Sequence, residues 1–212
     1  MQVLKSIKTA LNNEIQLLGD EIYNDNILVV GVFHGEEPQG KFLIENYLKM
    51  RDNFCKNGKN VLFIPCLNPD GMALNKRTNS NGVDLNRNFP TKNWKLTEKN
   101  EFFGGIAPES EIETKFITDI ISDYSPKVIL TLHAPFKIVN FDGPARDIAK
   151  KISDIINYPV EESVGYPTPG SFGTYCGVER NIPTITLELD ETCPVEDLFE
   201  PINRIFDELF NI

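Results

Sequence analysis

Short apolar runs of strand length alternate along this chain with segments in which apolar residues recur at helical spacing. This alternation is typical of an α/β fold, in which helices cover a central sheet. The runs Ile27–Phe33, Val128–Leu132 and Thr184–Leu187 are apolar on both faces, or nearly so, and are therefore expected in the middle of the sheet. The predicted strands are Glu14–Leu18, Ile27–Phe33, Asn60–Pro65, Lys127–Leu132 and Pro183–Leu189, and the predicted helices are Pro38–Asp52, Glu109–Asp123, Gly143–Asn157 and Val195–Phe210.

Charge and composition exclude several classes of partner. The net charge of −10 and the pI near 4.8 argue against nucleic acid and against an anionic membrane surface. The longest apolar runs are too short for a membrane span, and residues 1–10 lack the continuous apolar region of a signal peptide. The four cysteines form no CxxC pair, so they are expected to be reduced thiols. We therefore expect one domain over residues 1–212, located in the cytoplasm.

The only two histidines of the chain, His34 and His133, each come at the carboxyl end of a predicted strand. Ligands of open α/β sheets gather outside these strand ends. Glu37 follows His34 by three residues and completes a His₂Glu set, which leaves a fourth zinc position for water in catalytic sites. Either histidine alone is more often an ordinary loop residue, and Glu37 would also suit the first turn of a helix. Together with the features below, the set predicts one zinc ion per chain, although cobalt or manganese could occupy it.

Glu188 is a carboxylate inside the otherwise apolar run Ile182–Leu189. Unpaired burial of a charge is costly, so such a residue needs a partner or a chemical role. Beside a metal-activated water it would take a proton and then pass it to the leaving nitrogen. A glutamate on the solvent side of an edge strand is the alternative, and the apolar run fits it less well.

The stretch from Asn68 to Gly105 is dense in Asn, Gly, Pro and Asp and has no sustained period. A loop of this length in a compact domain is usually functional or disordered. It contains Arg77 and Arg87 among many side-chain donors. One arginine near zinc could stabilise an oxyanion, and a second with a neighbouring amide could clamp a carboxylate. A pair of solvated surface arginines is the alternative.

Six motifs follow one another across residues 31–189, and they are His34–Glu37, Asn68–Gly71, Arg77, Gly82–Phe89, Leu132–His133 and Thr186–Leu189. In kind and in order they resemble the zinc metallocarboxypeptidase superfamily. The resemblance implies a carboxypeptidase-like α/β fold, with a mixed, mostly parallel sheet of about eight strands and helices on both faces. It also implies that His34, Glu37 and His133 bind zinc and that Glu188 is the general base.

The same resemblance implies roles for further residues. Arg77 would polarise the scissile carbonyl and hold the oxyanion, while Asn86 and Arg87 would bind the carboxylate of the residue beyond the scissile bond. Tyr166, which precedes Glu188 by twenty-two residues, would be the family's mobile active-site tyrosine. The Gly-Ser that follows Tyr166 shifts this register, and a tyrosine that packs within its loop is the alternative.

Within the superfamily, the small size and the segments Asp84–Pro90, Tyr166–Gly173 and Ile182–Leu189 are most similar to the bacterial murein-peptide amidases. This similarity implies intracellular cleavage of the γ-D-glutamyl–diaminopimelate bond of cell-wall tripeptides. An acidic chain with two arginines in one loop also suits a small peptide rich in carboxylates. Two alternatives remain open: an aspartoacylase-like or succinylglutamate-desuccinylase-like deacylase of N-acyl amino acids, and a non-catalytic binding protein, which would be expected to have a broken ligand set.

Overall fold

One mixed sheet organises the chain in the computed structural model, which describes residues 2–20, 25–50, 55–56 and 59–211. Its nine described strands are Gln2–Lys8 (β1), Glu14–Gly19 (β2), Asp25–Gly31 (β3), Cys55–Lys56 (β4), Lys59–Ile64 (β5), Val128–His133 (β6), Ile138–Asp142 (β7), Val160–Glu161 (β8) and Thr184–Glu188 (β9). Their order is β1-β2-β5-β3-β6-β9-β7-β8, and the two-residue β4 pairs with β5 beside this path. The central strands β5, β3, β6 and β9 are parallel, and antiparallel pairs flank them. The predicted mixed, mostly parallel sheet of about eight strands is confirmed, with eight described strands on the main path and β4 beside it.

Helices cover both faces of this sheet. They are Gln39–Met50 (α1), Pro69–Leu74 (α2), Ile112–Tyr124 (α3), Arg146–Ile156 (α4) and Phe199–Leu209 (α5). Alternate residues of the central strands belong to two separate cores: Val29 and Leu130 pack on the face of α1, α4 and α5, and Leu28 and Ile129 on the face of α3. None of the described helices combines the length and the apolar character that a membrane span requires.

The nine predicted elements all occur, with shifted ends. β3 ends at Gly31 rather than Phe33 because Val32 has a φ of 56°, in the left-handed region that breaks a strand. The predicted helix Val195–Phe210 is divided into a 3₁₀ helix, Val195–Leu198, and α5. The last two residues of the predicted helix Pro38–Asp52 lie outside the described residues.

The long polar loop after β5 is ordered by its own side chains. Asn68 caps α2 by accepting a hydrogen bond from the Gly71 amide, and its Nδ2 donates to the carbonyls of Phe33 and Arg77 at 3.1 and 3.3 Å. Asp84 caps a 3₁₀ turn, Leu85–Arg87. Buried polar side chains thus supply the hydrogen bonds that a helix or strand would otherwise provide. The loop is therefore held against the carboxyl edge of the sheet.

The cysteines whose side chains are described, Cys66, Cys176 and Cys193, are free thiols, as expected. Cys66 and Cys176 are buried, and burial raises the pKa of Cys66 to about 12. Buried thiols with raised pKa values are poor nucleophiles, so Cys66 and Cys176 have a structural role.

Candidate active site

The three predicted metal ligands meet at the carboxyl edge of the sheet. His133 is the last residue of β6, while His34 and Glu37 lie in the turn between β3 and α1. The Nδ1 atom of His34 lies 2.7 Å from Oε1 of Glu37, and Nδ1 of His133 lies 3.1 Å from Oε2. One ligand atom from each of the three buried residues lies within 4.8 Å of the others. Atoms that bind one zinc ion at about 2.0–2.2 Å are separated by comparable distances.

The second ring nitrogen of His34 has the kind of carboxylate partner that is usual for a zinc-binding histidine. This Nε2 atom is buried, lies 3.3 Å from Oδ1 of Asp84, and has no other partner among the described residues. When Nδ1 binds a metal, Nε2 carries the proton and faces this carboxylate, which is the usual carboxylate–histidine–zinc arrangement. The donor set and its support therefore fit zinc. Asp84 belongs to the Gly82–Phe89 motif, in which no role could be predicted for it from sequence.

Electrostatics at the cluster favour a cation. Burial lowers the pKa of His34, but the carboxylates of Glu37 and Asp84 outweigh this and raise it to about 9. Burial raises the pKa of Glu37, yet the two histidines bring it down to about 2. The same carboxylates that hold a proton on His34 would favour a divalent cation in its place.

Glu188 ends β9 directly beside His133, since the two residues are paired in the register of β6 and β9. Ile185 and Leu187 of this strand belong to the core, whereas Thr186 and Glu188 face the site. Glu188 is buried, and its Oε2 has no hydrogen-bond partner within the described part of the chain. Burial raises its pKa, and the His133 charge opposes this. Because β9 lies between β6 and β7, the alternative of a solvent-facing edge residue is wrong.

Arg77 is fixed beside the metal ligands. Its Nε donates a hydrogen bond to Oδ2 of Asp84 at 3.0 Å, and its Nη2 forms an ion pair with the same oxygen at 2.9 Å. Its Nη1 lies 4.0 Å from Oε1 of Glu37. The guanidinium lies over the ring of Phe102, 5.1 Å from its centroid. Asp84 therefore binds both His34 and Arg77 and sets the distance between them.

Arg87 is a buried cation. Its Nη1 donates to the carbonyl of Asn86 at 2.7 Å, and no carboxylate of the described residues lies within ion-pair distance of it. The Asn86 side chain accepts a hydrogen bond from the Phe172 amide at 2.9 Å. Since Arg87 is only 6% exposed, the alternative of a solvated surface arginine is wrong for it.

All eight predicted site residues line one cavity of about 490 Å³. Tyr166 lies at its rim, with 44% of its surface exposed. The cavity also contains polar residues that sequence analysis did not select, and these include Asn140, Asp142 and Thr186. They come from the antiparallel pair β7 and β9, and β7 was not among the predicted strands.

Known proteins that are similar to this chain include zinc carboxypeptidases, which agrees with the fold and with the candidate metal site. The profile of the peptidase M14 family, zinc carboxypeptidase, matches residues 20–144. Murein peptide amidase A of Escherichia coli (strain K12) is 32% identical over 173 residues, which cover 76% of this chain and 69% of that protein. Murein peptide amidase A of Vibrio campbellii is 34% identical over 181 residues, or 78% of this chain and 70% of that protein.

Solved structures show the same fold. The crystal structure of the murein-tripeptide amidase from Escherichia coli O157 has a TM-score of 0.85 at 26% identity, over 97% of this chain and 90% of that one. Carboxypeptidase A from Helicoverpa armigera has a TM-score of 0.78 at 15% identity, over 99% of this chain and 68% of that one. The second likeness concerns the fold alone.

Proposed function

Since this chain belongs to the zinc carboxypeptidase family, we propose that it hydrolyses an amide bond next to a free carboxylate, namely the γ-D-glutamyl–diaminopimelate bond of murein tripeptides. The observation that carries the proposal is the pairing, in one cavity, of a His₂Glu metal set with the buried carboxylate of Glu188, whose Oε2 has no hydrogen-bond partner among the described residues. The two amidases similar to this chain support the choice of substrate. The expected cytoplasmic location would suit tripeptide recycling and stays a prediction.

Different residues of the site have different roles in the proposed hydrolysis. His34, Glu37 and His133 would hold zinc, which supplies Lewis acidity and makes water easier to deprotonate. Glu188 takes a proton from the attacking water, because it lines the same cavity as the metal set and its Oε2 has no hydrogen-bond partner in the described part of the chain. The same carboxyl group then protonates the leaving nitrogen, so one residue completes the proton transfer.

Arg77 stabilises negative charge on the carbonyl oxygen. Two of its nitrogens are bound to Asp84, which fixes the guanidinium before the substrate arrives. A donor that is already in place when charge develops costs no reorganisation, so its effect falls on the transition state.

Arg87 and Asn86 bind the free carboxylate of the substrate. Arg87 is a buried guanidinium that has no carboxylate partner among the residues described, which is unfavourable, and a substrate carboxylate would supply that partner. Tyr166, at the cavity rim, is positioned to contact the peptide, and its role stays a prediction.

Mass spectrometry of products tests the proposal. Zinc-loaded protein is incubated with L-Ala-γ-D-Glu-meso-diaminopimelate, and L-Ala-D-Glu and free diaminopimelate are the expected products. The Glu188→Gln variant and chelator-treated protein serve as controls. N-acetyl-aspartate and N-succinyl-glutamate are tested in parallel. Turnover of these alone would contradict the proposal and favour the deacylase alternative.

A further inference from the structure

We propose that Phe102 is a positioning residue for Arg77, because its ring covers one face of the guanidinium and holds Nη1 towards the metal ligands. The inference rests on the proposed function, since it concerns the arginine that is assigned to the carbonyl oxygen in that reaction. Phe102 would act through Arg77 and would not itself touch the reacting atoms.

The polar contacts of Arg77 leave one motion of its guanidinium unrestricted. The carbonyl of Arg77 accepts a hydrogen bond from the Gly35 amide at 3.3 Å, so its main chain is attached to the turn that carries the metal ligands His34 and Glu37. Its Nε and Nη2 both contact Oδ2 of Asp84. Contacts with a single oxygen fix that edge of the guanidinium, but they allow its plane to tilt about the edge and so to move Nη1. A contact on the face of the guanidinium would limit this tilt.

Phe102 supplies the face contact. The Cζ atom of Arg77 lies over the Phe102 ring, 5.1 Å from its centroid, which is within the distance of a cation–π interaction. Arginine stacks on aromatic faces in this way without using its N–H donors, so Nη1 stays available for a substrate oxygen. The ring also keeps water from one face of the cation, and only 15% of the Arg77 side chain is exposed. A less hydrated guanidinium stabilises a developing oxyanion more strongly.

The backbone on both sides of the Phe102 ring is fixed by hydrogen bonds. The Phe102 amide donates to Oδ1 of Asn100 at 2.8 Å, and the carbonyl of Phe103 accepts from the Asp84 amide at 2.8 Å. Asp84 thus contacts Arg77 with its carboxylate and binds, through its amide, the segment that carries Phe102. The ring and the carboxylate are therefore held in a fixed relation around one guanidinium.

The other surroundings of Phe102 do not account for its position. The side chain is 44% exposed and belongs to neither hydrophobic core of the described residues. It is also not among the described residues that line the active-site cavity. An exposed phenylalanine contributes less to stability than a buried one, so its replacement should leave the fold intact. Its function can therefore be tested without loss of the core.

Steady-state kinetics with the tripeptide test the role of the aromatic face. Phe102→Leu keeps an apolar side chain but removes the face, and should lower kcat by about 3–30-fold, the range of a cation–π contact, with KM within about twofold. Phe102→Tyr keeps the face and should keep kcat. Ile106→Ala, which changes an apolar residue of the same loop that is 81% exposed, is the matched control and should also keep kcat. A kcat of Phe102→Leu equal to that of the control would overturn the inference, and so would an equal loss in Phe102→Tyr.

A double-mutant cycle assigns the effect to Arg77. In the Arg77→Ala background the ring has no guanidinium to hold, so Phe102→Leu should change kcat by less than about twofold. The same loss in both backgrounds would show that Phe102 acts independently of Arg77, and would overturn the inference.

Nuclear magnetic resonance of the isotope-labelled, zinc-loaded protein follows the guanidinium without any substrate. The Nε–Hε signal of Arg77 is the one that Arg77→Ala lacks, and its order parameter reports the motion of this group. Phe102→Leu should lower the order parameter, whereas Phe102→Tyr and Ile106→Ala should match the unmodified protein. Equal order parameters in all these proteins would contradict the positioning role.

The two measurements separate this inference from the proposed function. Tripeptide hydrolysis that Phe102→Leu leaves unchanged would support the hydrolase and overturn the positioning role. Conversely, a lower order parameter in Phe102→Leu, in a protein that does not hydrolyse the tripeptide, would support the positioning of Arg77 and contradict the proposed function.

Discussion

The Oδ1 atom of Asp84 lies 3.3 Å from Nε2 of His34, and its second oxygen binds Arg77 at 2.9 Å. One buried carboxylate thus orients a metal ligand and the arginine assigned to the transition state. Burial raises the pKa of Asp84, but His34 and Arg77 outweigh this and hold it well below its usual range. Asp84 is therefore ionised at every pH at which the enzyme is expected to work.

Replacement of Asp84 by asparagine should weaken zinc binding. The amide would keep the shape of the side chain but lose the charge that faces the His34 ring, and loss of such a partner typically costs about 10–100-fold in metal affinity. Competition with a chromogenic chelator measures this affinity. Asp123→Asn, which changes an exposed carboxylate paired with Lys5, is the matched control. An Asp84→Asn affinity equal to that of the control would refute the role.

His34→Ala and His133→Ala should each lose zinc. Both rings present Nδ1 to Glu37, and removal of either leaves only two protein ligands. Metal analysis after gel filtration is expected to give about one zinc per chain for the unmodified protein, as the three-ligand site predicts, and much less for both variants. Full zinc content in both would eliminate this site.

Substitutions of Arg77 and Arg87 should have different effects on the steady-state constants kcat and KM. Arg87→Ala should mainly raise KM, because the buried guanidinium would no longer bind the substrate carboxylate. Arg77→Ala should mainly lower kcat, by about 10²–10³-fold, the usual cost of removing one oxyanion donor. Amidation of the substrate α-carboxylate tests the first assignment independently. An unchanged rate with the amidated peptide would show that Arg87 does not bind the substrate α-carboxylate.

Glu113 should make stability depend on pH. It is buried in α3, where burial raises its pKa to about 7, and Asn79 donates to it at 3.3 Å. Between pH 4.5 and about 7 the folded chain holds a proton that the unfolded chain has released, so stability falls as pH rises through this window. The shift corresponds to a loss of up to about 3 kcal/mol. Glu113→Gln should remove that part of the pH dependence.

Urea unfolding of both proteins at pH 5 and pH 8 measures this difference. The free energy of unfolding of the unmodified protein should drop more steeply between the two pH values than that of Glu113→Gln. Because every other titrating group is shared, parallel profiles would show that Glu113 titrates normally.

The centre of the fold and the metal set could be predicted from sequence because each has a local signal. Buried parallel strands such as β3 and β6 are continuous apolar runs, and a chain with two histidines offers few ligand sets. β1 is largely exposed at the sheet edge and β7 is partly polar, so neither forms such a run.

Asp84 and Asp142 show what sequence could not provide. Asp84 is fifty residues from His34 along the chain, and only the ordered polar loop brings the two together. Asp142 acquires its place from the register of β7 against β9. In both cases the surroundings of a carboxylate are fixed by tertiary structure, and the same residue type elsewhere in the sequence would usually be an ordinary surface group.

The most direct test of the account compares the unmodified protein with Glu188→Gln, with zinc content and tripeptide hydrolysis measured in the same samples. The amide of the variant would keep the shape of the side chain and cannot accept the proton, so zinc content should stay equal while kcat falls by about 10²–10⁴-fold, the range of a general base. Equal zinc with near-full activity in Glu188→Gln would contradict the mechanism, even if the metal site stands.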